Sequence, residues 1–246
     1  MRAVVPRGRT VAAAAADSPR ISVIIPALNE SAHVLATLDR LQALRRRGHE
    51  VIVVDGGSSD TTVSLAMTAA DRVICSGRGR ARQMNAGAEI AGGDNFWFLH
   101  ADTQVPQDAD RLINAALGSG IHGWGRFDVR LDDDGRLLRC VALLMNLRSR
   151  LTGIATGDQG LFMTRAAFDR IGGFEDIPLM EDIAASRALG RLSRPVALRA
   201  HLQTSARRWR RHGVCTTILT MWSLRLGYFL GVPAHRLARF YSVHTG

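Results

Sequence analysis

The feature that most constrains this chain is the regular alternation of short β-branched runs with helix-patterned segments, each run ending in polar residues. Residues 21–25 read ISVII, a pattern that suits a buried parallel strand. Pro26 is expected to stop that strand. Val34, Leu35, Leu38, Leu41 and Leu44 then share one helical face, with Asn29 or Ser31 as the cap and Gly48 as the end. Residues 50–54 (EVIVV) form a second expected strand, leading into the polar loop 55–60, in which Asp60 caps a helix over 61–70. A strand at 72–75, a Gly/Arg loop at 77–80, a helix near 81–91 and a strand at 95–99 follow, the last running directly into His100-Ala101-Asp102. Short connections between such elements predict an α/β fold: a Rossmann-like, doubly wound, mainly parallel sheet with right-handed crossovers.

In sheets of this kind ligands bind beyond the carboxyl ends of the strands. Three polar clusters stand at those ends: Asn29-Glu30, the 55–60 loop and His100 to Asp102. The second half is less regular. A strand is expected at 123–131, a helix at 136–151, a turn at Gly157-Asp158-Gln159-Gly160 before a strand at 161–164, a helix at 181–189 and a strand at 195–200. Residues 214–232 are apolar and helix-patterned, interrupted only by Arg225.

Composition narrows the class. With 246 residues, 46% of them apolar, the chain can build a core without disulfide or metal staples. Its three cysteines, Cys75, Cys140 and Cys215, lie far apart and form no metal or redox pair, which fits a reducing cytoplasm. The net charge of +10 rests wholly on arginine, clustered at 45–47, 78–82 and 207–211. That favours anionic partners, but no nucleic-acid-binding motif accompanies it, so none is expected. Residues 1–20 read as a disordered tail, because the apolar run at 11–16 is too short for a signal peptide.

Each chemically suggestive residue has a plainer role open to it. Asp102, at a strand end, can offer carboxylate oxygen to a divalent cation that bridges two phosphates, or can merely cap a turn before Pro106. Asp55 can accept hydrogen bonds from a base or ribose, or serve the turn-rich DGGSSD loop. Glu181 and Asp182 open a helix, where the dipole favours ionised carboxylates; Asp182 can act as a general base or simply stabilise the first turn. Arg207, Arg208 and Arg210, with Trp209 between them, can meet a diphosphate or form a solvated basic stretch. His201, after a strand and before this cluster, is a candidate late metal ligand.

Taken together and in order, ISVIIPALNE (21–30), VIVVDGGSSDTT (51–62), GRARQMNAGA (79–88), FLHADT (98–103), GDQGLFMTR (157–165), IGGF (171–174) and MEDIAASRAL (180–189) resemble the family-2 glycosyltransferases of the GT-A fold over residues 21–210. The FLHADT, GDQG, MED and SARRW variants resemble a bacterial subgroup associated with arsenosugar or radical-enzyme genes. The resemblance implies an inverting transferase that uses a UDP- or GDP-linked sugar and a divalent metal, Mg or Mn. By position it implies that Pro26, Ala27, Asn29, Glu30, Asp55, Arg82 and His100 bind the donor. Asp102 would bind the metal, and Gly157, Asp158 and Gln159 would shape the sugar and acceptor loop. Asp182 would be the catalytic base with Glu181 beside it, and Arg207 and Arg208 would face the diphosphate. Two departures stand out: Asp-x-Asp is His100-Ala101-Asp102 here, and the Gln-x-x-Arg-Trp signature of processive synthases is absent.

Residues 211–246 are expected to form an amphipathic helical segment. With Arg225 mid-segment, 214–232 is expected to lie on the inner face of the membrane or on the domain, and not to span the bilayer. Two competing readings remain. One is a methyltransferase or dinucleotide enzyme, against which the first strand is followed by PALNE without the glycine fingerprint. The other is a non-catalytic, membrane-associated nucleotide-binding protein.

Overall fold

The computed structural model describes residues 18–133 and 135–245; most of the expected N-terminal tail lies outside them. Eight strands form one sheet: β1 (Ile21–Ala27), β2 (Glu50–Asp55), β3 (Arg72–Cys75), β4 (Asn95–Phe98), β5 (Thr103–Gln104), β6 (Trp124–Leu131), β7 (Phe162–Thr164) and β8 (Val196–Thr204), in the order β3-β2-β1-β4-β7-β6-β8-β5. Ten helices surround it: α1 (Val34–Arg46), α2 (Thr62–Ala69), α3 (Arg80–Ile90), α4 (Ala109–Gly118), α5 (Arg136–Thr152), α6 (Arg165–Ile171), α7 (Glu181–Gly190), α8 (Arg207–His212), α9 (Val214–Phe229) and α10 (Ala234–Thr245). β1 to β4 are mutually parallel. β7 runs antiparallel to both β4 and β6, β8 is parallel to β6, and β5 closes the edge antiparallel to β8.

The period-2 pattern of the parallel strands divides the core into two. Ile21, Val23, Ile25, Val51, Val53 and Trp97 face α1, α2 and α4. Their alternates Ile24, Ile52, Val54, Phe96 and Phe98 face α3, α6 and α7. This is why the strands read as unbroken apolar runs: both faces are covered.

Several expectations shift. Pro26 does not stop β1; it pairs in register with Val54. The Leu99 amide bonds the Ile24 carbonyl, after which β4 has ended. The next outward position on that side of β1 is Pro26, so its missing N–H leaves no ladder bond unmade. Neither Asn29 nor Ser31 caps α1, which begins three or more residues later without a side-chain cap. The strand expected at 195–200 runs on to Thr204. Sequence patterning also missed α4, although Ala109, Ile113 and Leu117 repeat at helical spacing and are buried. The 214–232 segment ends as a helix at Phe229, and α10 turns back onto it. No helix among the described residues is long and apolar enough to cross a membrane.

The edge of the core holds a pH-sensitive contact. The buried His49 accepts the Ile21 amide at Nδ1 (3.2 Å), and its Nε2 lies 3.1 Å from Asp110. Burial pushes the His49 pKa below 6.5, outweighing the Asp110 charge. A histidine neutral in the fold protonates more readily when unfolded, so its contribution is complete above about pH 6.5 and is lost as pH falls through the lowered folded value. Urea denaturation should therefore show stability declining as pH drops below about 6.5, and His49→Gln should flatten that part of the profile. An unchanged slope in the variant would remove His49 from the account.

Candidate active site

One side chain ties together the carboxyl ends of β1 and β2. Gln83 of α3, only 3% exposed, donates from Nε2 to the carbonyls of Ala27 and Val54, each at 2.8 Å. The Gly56 amide adds a bond to the Ala27 carbonyl, and a Cβ at Gly56 would stand 3.0 Å from the Gln83 amide. Beside this clamp lies the buried Asp55. Its Oδ2 accepts the Gly57 and Ser58 amides at 2.9 Å, while its Oδ1 is buried without a partner among the described residues. A desolvated carboxylate oxygen with an open acceptor position suits a donor arriving from outside the chain.

The loop after β2 is locked to the loop after β1. Asn29 sits at φ 53, gives its amide to Ser58 Oγ (2.8 Å) and accepts the Ser59 amide at Oδ1 (2.9 Å). Asn is among the few residues that adopt this conformation at modest cost. The Glu30 amide goes to Thr62 Oγ1, and Asp60 accepts the Ser31 and Thr62 amides, so Asp60 joins the two loops as well as opening α2. Pro26 and Ala27 form the buried floor within β1.

A second group begins at Glu30. Arg207, at the start of α8, places Nη2 2.7 Å from Glu30 Oε1 and 3.5 Å from Asp102 Oδ2, bridging two carboxylates from different strand ends. Two residues before Asp102, His100 sets Nδ1 3.3 Å from Asp158 and Nε2 3.5 Å from Arg80 Nη1. Arg80 Nε lies 2.9 Å from Glu181 Oε1. The Gly157 amide donates to Asp182 Oδ2 at 2.8 Å, and the Ile183 amide to Oδ1 at 2.7 Å. Gly157 must lack a side chain here, because a Cβ would stand 2.4 Å from His100 Nε2. Met180, just before α7, adopts φ 72, a conformation rare for a bulky residue; the strain sits immediately before Glu181 and two residues before Asp182.

The carboxylates differ in environment. Burial pushes the Glu181 carboxyl up, against the pull of Arg80 and reinforced by the Asp182 charge, and its Oε2 is buried without a partner among the described residues. Burial would also raise Asp158, but its contact with His100 and the charges of His100, Arg208 and Arg80 hold it well below the usual carboxylate range. Asp182 is only partly buried, and backbone donors orient its carboxylate.

Contacts thus form two groups: Glu30 and Asp102 meet through Arg207, and His100, Asp158, Glu181 and Asp182 gather around Arg80 and the Gly157 turn. The groups adjoin where His100 and Asp102 share one loop, and Asp55 joins the first through the 55–60 loop. Other expected residues stand elsewhere. Arg82 is held in an exposed ion pair with Asp176; Arg80, two positions earlier on α3 and so on a different face, is the arginine that enters the network. Gln159 is fully buried, closing a capping box with Thr156 beneath the Gly157–Gln159 turn, so it supports the loop from below. Arg208 lies over the Tyr241 ring at 5.6 Å. His201 is exposed on β8 opposite Asp128. No group of three His, Cys, Asp or Glu side chains that could hold a metal occurs among the described residues. Asp102 alone suits a cation that arrives with most of its oxygen ligands supplied by phosphates and water, as Mg²⁺ commonly does.

The model for the family described as Glycosyl transferase family 2 matches residues 22–122, from β1 past Asp55 and Asp102. Over those residues the chain resembles the family-2 glycosyl transferases. An undecaprenyl-phosphate 4-deoxy-4-formamido-L-arabinose transferase of Pseudomonas paraeruginosa is 35% identical over 157 residues, 58% of this chain and 45% of that protein. A PGL/p-HBAD biosynthesis glycosyltransferase of Mycobacterium bovis is 35% identical over 112 residues, 43% of each chain. The chain thus spans about half the length of the curated relatives it matches. The mannosyltransferase PcManGT of Pyrobaculum calidifontis, in complex with GDP-Man and Mn2+, superposes with a TM-score of 0.60 at 23% identity, covering 89% of this chain and 68% of that one. S. aureus TarS 1-349 with UDP-GlcNAc gives 0.62 at 17% identity, covering 76% and 58%. The chain shares its fold, GT-A, with these proteins.

The clamp is directly testable. Gln83→Leu removes one donor from each of the Ala27 and Val54 carbonyls, and the two lost bonds should together cost about 1–3 kcal/mol in a urea titration. A loss below a few tenths would show that the strand ends do not depend on it.

Proposed function

We propose that this protein is an inverting glycosyltransferase that moves a sugar from a nucleoside diphosphate to an acceptor hydroxyl, assisted by a divalent metal, Mg or Mn. The observation that carries the reading is the arrangement of Asp182. It is an accessible carboxylate at a helix start, fixed by the amide of Gly157, whose neighbour Asp158 meets His100, two residues before Asp102 in the same loop. The glycosyl transferase family 2 match supports it.

In this reading the open Oδ1 of Asp55 accepts an N–H of the base, with Pro26, Ala27 and Asn29 around the nucleoside. UDP- and GDP-linked donors are both favoured by the sugar nucleotides bound to structurally similar proteins. Asp102 would hold the cation on the diphosphate, where it supplies charge to stabilise the leaving group. Arg207, released from Asp102 in part, stays beside the diphosphate through Glu30. Asp182 takes the acceptor proton as the acceptor oxygen bonds to the anomeric carbon. The bond from that carbon to the diphosphate oxygen breaks on the opposite face, and the electron pair leaves with the nucleoside diphosphate. Glu181 is committed to Arg80 and Asp158 to His100, which leaves Asp182 for proton transfer and gives one displacement with inversion. The three exposed free cysteines fit a cytoplasmic setting.

The test is a donor screen with Mg²⁺ and Mn²⁺ that detects released nucleoside diphosphate, alongside a thermal-shift panel of UDP and GDP with Mn²⁺ against S-adenosylmethionine and NAD. Stabilisation by a nucleoside diphosphate, and turnover of its sugar, are expected. Asp182→Asn should reduce transfer by at least about 10²-fold, the scale of a lost general base, while donor binding persists. Activity within a few-fold of the wild type would reassign the base; stabilisation only by S-adenosylmethionine or NAD would end the proposal.

A further inference from the structure

Two arginines near Asp182 take no part in the network above. Arg148, near the end of α5, has Nε and Nη2 buried with no hydrogen-bond partner among the described residues. Arg225 of α9 likewise forms no ion pair or side-chain hydrogen bond there. The two guanidinium groups are close enough to repel each other, and both feel the attraction of Asp182; Arg225 also feels Asp158. Burial, with the Arg225 charge adding to it, brings the Arg148 pKa down to about 10. Desolvated guanidinium donors without acceptors are costly, and a native chain keeps them where something fills the gap. What is missing is an anion with several acceptor oxygens.

The same helices carry an apolar outer face. On α5, Leu137, Leu144, Leu147 and Leu151 recur at helical spacing and are exposed. On α9, Leu219, Trp222, Leu226 and Phe229 do the same. The helices adjoin: Leu138, Val141 and Met145 pack in one cluster with Val214 and Ile218. Exposed apolar stripes on neighbouring helices exceed what a solvated surface needs, and with basic residues alongside they suit a lipid interface.

We propose that Arg148 and Arg225 form the anion subsite of the acceptor, and that the acceptor is a lipid bearing a phosphate monoester whose chain lies along the apolar faces of α5 and α9. The inference rests on the reading of Asp182 as the base: the acceptor hydroxyl is then the P–OH of the monoester monoanion, whose proton Asp182 takes as that oxygen bonds to the anomeric carbon. It accounts for Arg225 in an otherwise apolar helix: the residue is half-buried and feels the Asp182 charge, while Trp222, Leu226 and Phe229 of the same helix are exposed.

The test is flotation of the full chain with phosphatidylcholine vesicles containing phosphatidic acid, compared with phosphatidylcholine alone, and thermal shift with inorganic phosphate. The wild type should float only with phosphatidic acid. The R148Q/R225Q variant should bind those vesicles about tenfold more weakly or worse, while the charge-matched R40Q/R46Q variant of exposed α1 residues should bind as the wild type does. R148Q should melt no lower than the wild type, because it removes an unpaired buried charge; an arginine with a purely structural role would lose stability. Equal loss in R40Q/R46Q, undiminished flotation of R148Q/R225Q, or stabilisation by inorganic phosphate without vesicle binding would each overturn the proposal. UDP or GDP stabilisation with Mn²⁺, measured on the same variants, separates the two readings. If it persists while flotation fails, only the lipid subsite is wrong; if it is absent from the wild type, the donor reading is at fault.

Discussion

Six carboxylates converge near the carboxyl edge of this sheet, and the structure depends on how their mutual repulsion is offset. Arg207 spans Glu30 and Asp102, Arg80 holds Glu181, and His100 holds Asp158. One oxygen of Asp55 and both oxygens of Asp182 accept backbone amides instead. The choice of partner sets what each acid can do. A carboxylate held by a guanidinium is a fixed charge, whereas one oriented by amides keeps lone pairs for a visiting group. Asp102 lies between these cases, with only a 3.5 Å contact to Arg207.

The sheet makes that convergence possible. Four parallel strands buried on both faces leave their carboxyl ends as the place where polar side chains reach solvent, and Gln83 keeps two of those ends in register. The remaining strands bring the second half of the site. β7 follows the Gly157–Gln159 turn and pairs with β4, so the loop that orients Asp182 lies beside the strand that leads into His100 and Asp102. Residues 60 or more positions apart thereby share one set of contacts.

Much of this was legible in the chain. The apolar runs named β1, β2 and β4, and the polar residues at their ends named Asn29, Asp55 and Asp102, because local periodicity determines both. Legibility failed where tertiary context decided. Pro26 continues β1 because its neighbour strand has already ended, which no window around residue 26 reveals. Asn29 bonds a loop thirty residues away in place of capping α1. The GRGRAR stretch pointed to an arginine in the site, but helix phase selects Arg80 over Arg82. Arg148 gave no local sign, and Arg225 showed only as a break in an apolar run; their joint meaning arises only when α5 and α9 bring two unpaired guanidinium groups toward Asp182.

Glu181 shows why burial and function are hard to separate here. A carboxyl group 2% exposed, with its pKa raised and one oxygen unpartnered, carries the features by which a catalytic acid is usually recognised. Yet its other oxygen is committed to Arg80, and Asp182, one residue on, has the access that proton transfer to a substrate requires. The raised pKa of Glu181 follows in part from its neighbour's negative charge. Its burial keeps Arg80 between His100 and the start of α7, and so holds the loop and the helix that aim Asp182. With Asp182 proposed as the base, Glu181 is a positioning residue whose value lies in where it holds an arginine.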